Sequence, residues 1–332
     1  MKKLLILSCV LALSATGVKS ADLPNGYKEV DQVLWVVSDV EGTMSNYKLL
    51  GFSQFMDLGT VEIKSLNTDR SSTARLICAN LGGAHVNWIQ PLEGESIFRT
   101  FHEAHGDAAM SLIHRIQDVD ELKNEIGRLN ELGIETLDKI SIKTSEGELA
   151  FILMNTEPEG KYILGFTYED KGQRIQTALC DDNRLKLELN QYAFAIRDPQ
   201  AVSDYWQEIG LPELEISYPE LGDPMYYGEP ADHELIQGWQ RHGSVAYEWC
   251  IPVKPPIVYE DHINKHGEGI HHLAYFVKDM DEVLKDYTSQ GFLVSMGGTW
   301  GEKGKPGSGR YEYIDLESAG GLTMELLWSY KE

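Results

Sequence analysis

The sequence predicts an α+β chain of four βαβββ units arranged in two tandem halves, and three observations lead there. Four segments repeat one pattern: an apolar strand, an Asp, an amphipathic helix, then a Gly between apolar residues. The glycines that close those helices, Gly51, Gly133, Gly210 and Gly291, are spaced 82, 77 and 81 residues apart. A longer offset of 161 carries His105-Gly106 onto His266-Gly267, Asp118 onto Asp279, and the stretch from Asn87 to Pro91 onto Glu248 to Pro252. Self-similarity at a fixed period marks repeated supersecondary units.

In chain order, the first element is the apolar run Leu4 to Leu13 behind Lys2-Lys3, ending in Val18-x-Ser20 before Ala21. A basic end, an apolar stretch too short to span a bilayer and small residues before the cut describe a secretory signal peptide over residues 1–20. A lipoprotein signal ending at Cys9 is the variant reading, and its apolar segment is short. No later stretch predicts a transmembrane helix. The mature chain is then expected to be periplasmic or secreted.

Strands begin at Gln32, Ser111, Gln191 and His272. The Asp seven residues on, Asp39, Asp118, Asp198 or Asp279, is placed to cap the next helix, and each Gly to end it left-handed. Strand-like segments follow each Gly. The halves are expected at 21–170 and 185–332, joined by a linker over 171–184.

Lys and Arg number 29 against 52 Asp and Glu, a formal net charge of −23, and removal of residues 1–20 makes it −26. Such a field repels nucleic acid and anionic membrane, and no basic run offsets it. Cys78, Cys180 and Cys250 remain after cleavage, an odd number without C-x-x-C spacing, so they are expected to be packing residues rather than a zinc or redox site.

The motifs Gly-Ile-His271-His272-Leu-Ala and Gly-Gly-Leu-Thr-Met-Glu325-Leu, set in four such units, resemble the vicinal oxygen chelate superfamily. That superfamily includes glyoxalase I, methylmalonyl-coenzyme A epimerase and the extradiol dioxygenases, and Trp249 to Val277 is most similar to the epimerase branch. The resemblance implies two glyoxalase-like half-barrels, each pairing two units around one metal position with a ligand from each of four strands. In the second half these positions are Gln191, Glu248, His272 and Glu325. Gln191 either ligates or only hydrogen-bonds nearby. Strand alternation then turns Gln191, Ala193, Ala195, His272 and Ala274 to the concave side and the larger Tyr192, Phe194, Leu273 and Tyr275 to the helices. His271 is expected on the opposite face from His272.

One imidazole, two carboxylates and an amide suit a single divalent ion: zinc, nickel, cobalt, manganese or iron. The set resembles one glyoxalase I branch. It departs from the extradiol dioxygenases, whose facial triad needs two histidines where this chain has Gln191. The first-half equivalents, Gln32, Asn87, Ser111 and Leu164, include no histidine or carboxylate, so that half is expected to be degenerate.

Cys250, two residues after Glu248, is expected to face the cavity. The glycine-rich stretch from Gly297 to Arg310 is a candidate lid bringing Trp300 and Arg310 to the substrate. The function implied is an isomerase, epimerase or lyase acting on a small carbonyl or oxyacid substrate, with Glu325 or Glu248 as base. Ring-cleaving dioxygenase and non-catalytic binding protein are the alternatives.

Overall fold

The computed structural model describes residues 23–167, 183–243 and 246–330. The expected signal peptide and all but the last two residues of the expected linker lie outside the described residues. Among the described residues no helix is long and apolar enough to cross a membrane.

The first unit is β1 (Gln32–Val36), α1 (Val40–Leu49), β2 (Phe55–Ser65), β3 (Ser71–Leu81) and β4 (Ala84–Glu93). Helix α2 (Ile97–His105) leads to the second: β5 (Ala108–Arg115), α3 (Val119–Glu131), β6 (Thr136–Thr144), β7 (Gly147–Met154), the single turn α4 (Glu157–Gly160) and β8 (Ile163–Thr167). The third unit holds β9 (Glu188–Ala195), α5 (Pro199–Ile209), β10 (Glu215–Ser217), β11 (Leu221–Tyr226), β12 (Glu229–Pro230), β13 (Glu234–Arg241) and β14 (Ala246–Lys254). Helix α6 (Val258–His266) leads to the fourth: β15 (Gly269–Phe276), α7 (Met280–Ser289), β16 (Val294–Trp300), β17 (Gly309–Leu316) and β18 (Leu322–Ser329).

The punctuation read from the sequence is present at every repeat. The side chains of Asp39, Asp118, Asp198 and Asp279 each accept a hydrogen bond from the first-turn backbone of the helix that follows. This satisfies donors that a helix start leaves unpaired. Gly51, Gly133, Gly210 and Gly291 have φ of 96°, 84°, 105° and 93°, the left-handed region where a side chain would strain the turn.

The two halves differ in closure. Strands of the first form a closed barrel in the order β1-β4-β3-β2-β6-β7-β8-β5, rather than the expected half-barrel. Strands of the second form a ten-stranded sheet running β10-β13-β14-β9-β15-β18-β17-β16-β11-β12. The third unit therefore departs from plain βαβββ: β10 pairs with β13, whereas β11 crosses to pair with β16 of the fourth unit.

Side-chain size explains what each sheet encloses. Inside the barrel sit Leu34, Val36, Leu76, Ile89, Met110 and Phe151, all fully buried and in one cluster. The concave face of the second sheet carries Ala195, Ala274 and Cys250 at its centre. Large side chains fill the first interior, and small ones leave space in the second. The outward residues Tyr192, Phe194, Leu273 and Tyr275 join the large core shared by both halves, as the alternation requires.

A local pseudo-twofold axis relates the halves. His105 Nδ1 bonds the backbone oxygen of His266 at 2.7 Å, and His266 Nδ1 bonds that of His105 at 2.6 Å. These are the two residues that the 161-residue offset superposes. Across the same interface Trp35 Nε1 donates to the Gly320 carbonyl at 2.7 Å and the Tyr287 hydroxyl to that of Leu50 at 3.0 Å.

Candidate metal centre

Four neighbouring strands bring the candidate ligands together. Glu248 on β14 lies beside Ala193 of β9, which also faces His272 of β15, and Glu325 on β18 lies beside Ala274 of β15. The donor atoms of Glu248, His272 and Glu325 lie within 4.8 Å of one another, and all three residues are buried. His272 Nε2 is 3.3 Å from Glu325 Oε2 and 3.5 Å from Glu248 Oε2. Gln191 borders this group: its Nε2 donates to Glu248 Oε2 at 2.8 Å. Gln237 on β13 donates to the other oxygen, Oε1, at 2.6 Å. Both oxygens of Glu248 are thus held, and Gln237 is a partner that the repeat comparison did not single out.

The backbone places one more imidazole here. Between Ile270 and His272 the pairing of β15 with β9 shifts, so His271 is an extra residue in the strand. Such a bulge breaks the alternation of side chains. His271 therefore does not point away from His272 as strand periodicity predicted. Both rings contact Tyr259 and Tyr313, and their Nδ1 atoms are 2.8 Å apart. The same bulge recurs in β5, where Met110 is skipped between Ala109 and Ser111. Burial, reinforced by the neighbouring histidines, pushes the His271 pKa well below its ordinary value, so this ring stays neutral. When His272 Nδ1 carries its proton, it donates to His271 Nδ1 and leaves Nε2 as a lone pair aimed at the two carboxylates. An outer partner that fixes a ligand's tautomer in this way is a general feature of metal-bound histidines.

Residues 190–309 match the model of the glyoxalase/bleomycin resistance protein/dioxygenase superfamily. This stretch is a domain of that superfamily. No curated protein sequence matches the chain. Among solved structures, a triple mutant of 4-hydroxymandelate synthase from Streptomyces coelicolor shares the fold with a TM-score of 0.57 at 14% identity, over 92% of this chain and 93% of that one. A Mn(II)-bound glyoxalase from Novosphingobium aromaticivorans aligns at TM-score 0.47 and 12% identity, over 92% of this chain and 83% of that one. A catechol 2,3-dioxygenase gives the same score and identity, over 92% and 88%.

The chemistry of the glyoxalase-like domain's donor set fits a divalent ion. Among the described residues, His272 Nε2 and Glu325 Oε2 are buried side-chain atoms without a hydrogen-bond partner. An orphaned polar atom in a protein interior costs about 1–3 kcal/mol, and more where a charge is involved. Ligands at about 2.0–2.2 Å from one ion lie about 2.8–3.6 Å apart at 90–109°, which the two His272 separations satisfy. Without an ion, burial lowers the His272 pKa but the two carboxylates outweigh it and hold it up at about 9. Burial pushes Glu325 up, and the Glu248 charge adds to this against the contacts from His272 and Tyr313. Glu325 is therefore more basic than an ordinary carboxylate.

The first-half equivalents are closed off. Asn87 Nδ2 donates to Gln32 Oε1 at 2.6 Å and the Ser111 hydroxyl to the Ile163 carbonyl at 2.6 Å. Leu164 does not stand where Glu325 stands. The register of β5 with β8 puts Gly165 opposite Ile113, as Glu325 is opposite Ala274, while Leu164 joins the core between the halves. A Cβ on Gly165 would meet Ile113 Cδ1 at 2.3 Å, so the barrel interior would have to repack to admit a ligand side chain there.

Above the centre lies a cavity of about 550 Å³. Gln191, Glu248 and Glu325 form its base, and Tyr259, Met296, Tyr311 and Tyr313 its sides. Tyr311 and Tyr313 are buried in the core cluster and also present a face to the cavity. Trp300 lines the outer part as expected, its Nε1 donating to the Gly307 carbonyl at 3.1 Å within the β16–β17 hairpin. Arg310 does not reach the cavity. Alternation along β17 sends Tyr311 and Tyr313 inward and Arg310 outward, to Glu312 at 2.6 Å and Asp281 at 2.8 Å. Cys250 lies on the concave side but below the cavity wall, packed with Tyr259. Burial pushes its thiol well up, which leaves it unreactive.

Proposed function

We propose that the chain is an exported, metal-dependent isomerase, epimerase or lyase of the glyoxalase type, moving a proton on the carbon beside a carbonyl. The observation that carries this reading is the buried triad of Glu248, His272 and Glu325, in which His272 Nε2 and Glu325 Oε2 have no hydrogen-bond partner and the two carboxylates form the base of a cavity. A bound divalent ion would supply Lewis-acid polarisation of a substrate oxygen. Glu248, His272 and Glu325 would hold it, with Gln191 as a fourth ligand if its amide turns its oxygen inward.

The protein's own groups divide the remaining work. Gln191 and Gln237 fix both oxygens of Glu248, which suits a constant anionic ligand. Glu325 is made more basic by burial, and its Oε2 has no hydrogen bond beyond the 3.3 Å approach of His272, so it takes the α-proton and returns it. The Tyr259 and Tyr313 hydroxyls, 2.7 Å apart, stand beside it and can donate to a developing oxyanion. Export rests on the signal-like residues 1–20.

A ring-cleaving dioxygenase is the second reading, and the single imidazole among the three clustered donors weighs against it. Solvent deuterium incorporation and oxygen uptake, measured on one metal-loaded preparation, separate the two. Deuterium entering the α-position of a carbonyl compound supports the proposal. Catechol-dependent oxygen uptake without any α-exchange defeats it.

A further inference from the structure

The cavity walls narrow the substrate class, and this inference rests on the proton-transfer reading above. Six aromatic side chains line the cavity: Trp239, Tyr259, Phe276, Trp300, Tyr311 and Tyr313. Leu221, Leu235, Met296 and Leu327 fill the gaps between them. Among the described residues lining it, none is lysine, arginine or histidine. Arg241 lies over the Trp239 ring at 5.0 Å but is not part of the wall, and Arg310 is turned outward to Asp281 and Glu312.

We infer that the site takes an uncharged, aryl-bearing carbonyl compound and rejects carboxylates, phosphates and other anions.

Two balances lead there. The two charges of a divalent ion are already met by Glu248 and Glu325, so a substrate carboxylate would add a net negative charge inside an apolar enclosure. A buried charge without a partner is among the costliest arrangements a protein can hold. Glu220, at the cavity rim, and a net charge of −23 add to the repulsion on the way in. For an aryl group the walls offer stacked and edge-on contact on several sides, and Met296 adds a sulfur–ring contact. A volume of about 550 Å³ suits a drug-sized molecule. It does not suit a large, multiply charged carrier thioester or peptide adduct.

Quenching of tryptophan fluorescence reads binding apart from turnover, through Trp239 and Trp300. The probes are α-hydroxyacetophenone (neutral, aryl), phenylglyoxylate (anionic, same ring) and hydroxyacetone (neutral, no ring), each titrated into zinc-loaded and metal-free protein. The expected result is α-hydroxyacetophenone binding about tenfold or more tighter than either other probe to the zinc form, with the ring preference kept in the metal-free form. In Ser329→Arg, which adds a cation to the cavity wall, phenylglyoxylate should gain most. Phenylglyoxylate binding to the wild type as tightly as α-hydroxyacetophenone overturns the inference, as does failure of every aryl probe to bind. If α-hydroxyacetophenone binds with this preference but its α-protons never exchange with solvent, the proton-transfer reading fails and the assignment of the cavity stands.

Discussion

Replacing Glu325 by Gln separates its role as base from its role as ligand. The amide matches the carboxylate in size and keeps an oxygen, but it cannot accept the α-proton. Glu248 cannot take over without losing a hydrogen bond, because its oxygens are held by Gln191 at 2.8 Å and Gln237 at 2.6 Å. The loss should therefore equal a full general-base contribution, about 10²–10⁴-fold in turnover, or about 2.7–5.4 kcal/mol in the barrier at about 1.36 kcal/mol per tenfold. Folding should be nearly unaffected. The new amide can donate to the carboxylate of Glu248 or to His272, and a residual change of about 1 kcal/mol would move the melting midpoint only about 2–4 °C. The assay is solvent deuterium incorporation at saturating substrate, with bound metal quantified in the same samples. Glu325→Gln retaining turnover within about tenfold of wild type, while holding metal and fold, would refute the assignment. A larger loss in Glu248→Gln at full metal occupancy would transfer the role of base to Glu248.

The remaining predictions concern support, interface and processing. His271→Ala removes the acceptor that fixes the His272 tautomer, so metal affinity should fall about 10–100-fold by competition with a chelating dye; unchanged affinity would mean the Nδ1 contact does not orient the ligand. The His105–His266 clasp should be pH-dependent. Glu157 raises the His105 pKa, and the His266 value is raised because Glu317 and the His105 carbonyl outweigh its burial. Groups raised on folding contribute fully below the unfolded value of about 6.5 and lose that contribution as pH rises through the folded value. Glu317, held down at about 2 by His266 and Lys265 against its burial, contributes above about 4.3 and loses this only in strong acid. The wild-type advantage in melting midpoint over His266→Gln, about 2–4 °C for these partly exposed pairs, should thus be present at pH 6 and shrink by pH 9; a constant advantage would contradict this. Protein recovered from the native cell envelope should begin near Ala21 by N-terminal mass analysis, and an intact Met1 would remove the argument for export.

The parts of the fold visible in the sequence are those that local chemistry imposes on every repeat. Helix starts need a capping oxygen and helix ends a left-handed residue, so Asp39 and Gly51 recur in kind through to Asp279 and Gly291. The concave and convex faces of β9 and β15 also follow from alternation, because only one face must carry large residues such as Phe194 and Tyr275. What stayed hidden are departures from periodicity. The bulge at His271 shifts register without any glycine or proline to mark it, and it reverses the side-chain direction on which the alternation argument rests. Gly165 replaces Leu164 as the counterpart of Glu325 because a sequence offset cannot report a one-residue change of pairing. The crossing of β11 to β16, which gives the second sheet its order, is a long-range choice that no local motif near Leu221 encodes. Gln237 could have been found: it sits on the strand antiparallel to that of Glu248, with polar character on a face otherwise set by Leu235 and Trp239.

A single metal centre in the second half of the chain underlies every role assigned to Glu248, His272 and Glu325, and elemental analysis of the purified protein counts it. About one divalent ion per chain is expected, lost in the double variant His272→Ala with Glu325→Ala while the fold, by circular dichroism, is kept. Two ions per chain, or one ion that survives the double substitution, would contradict it.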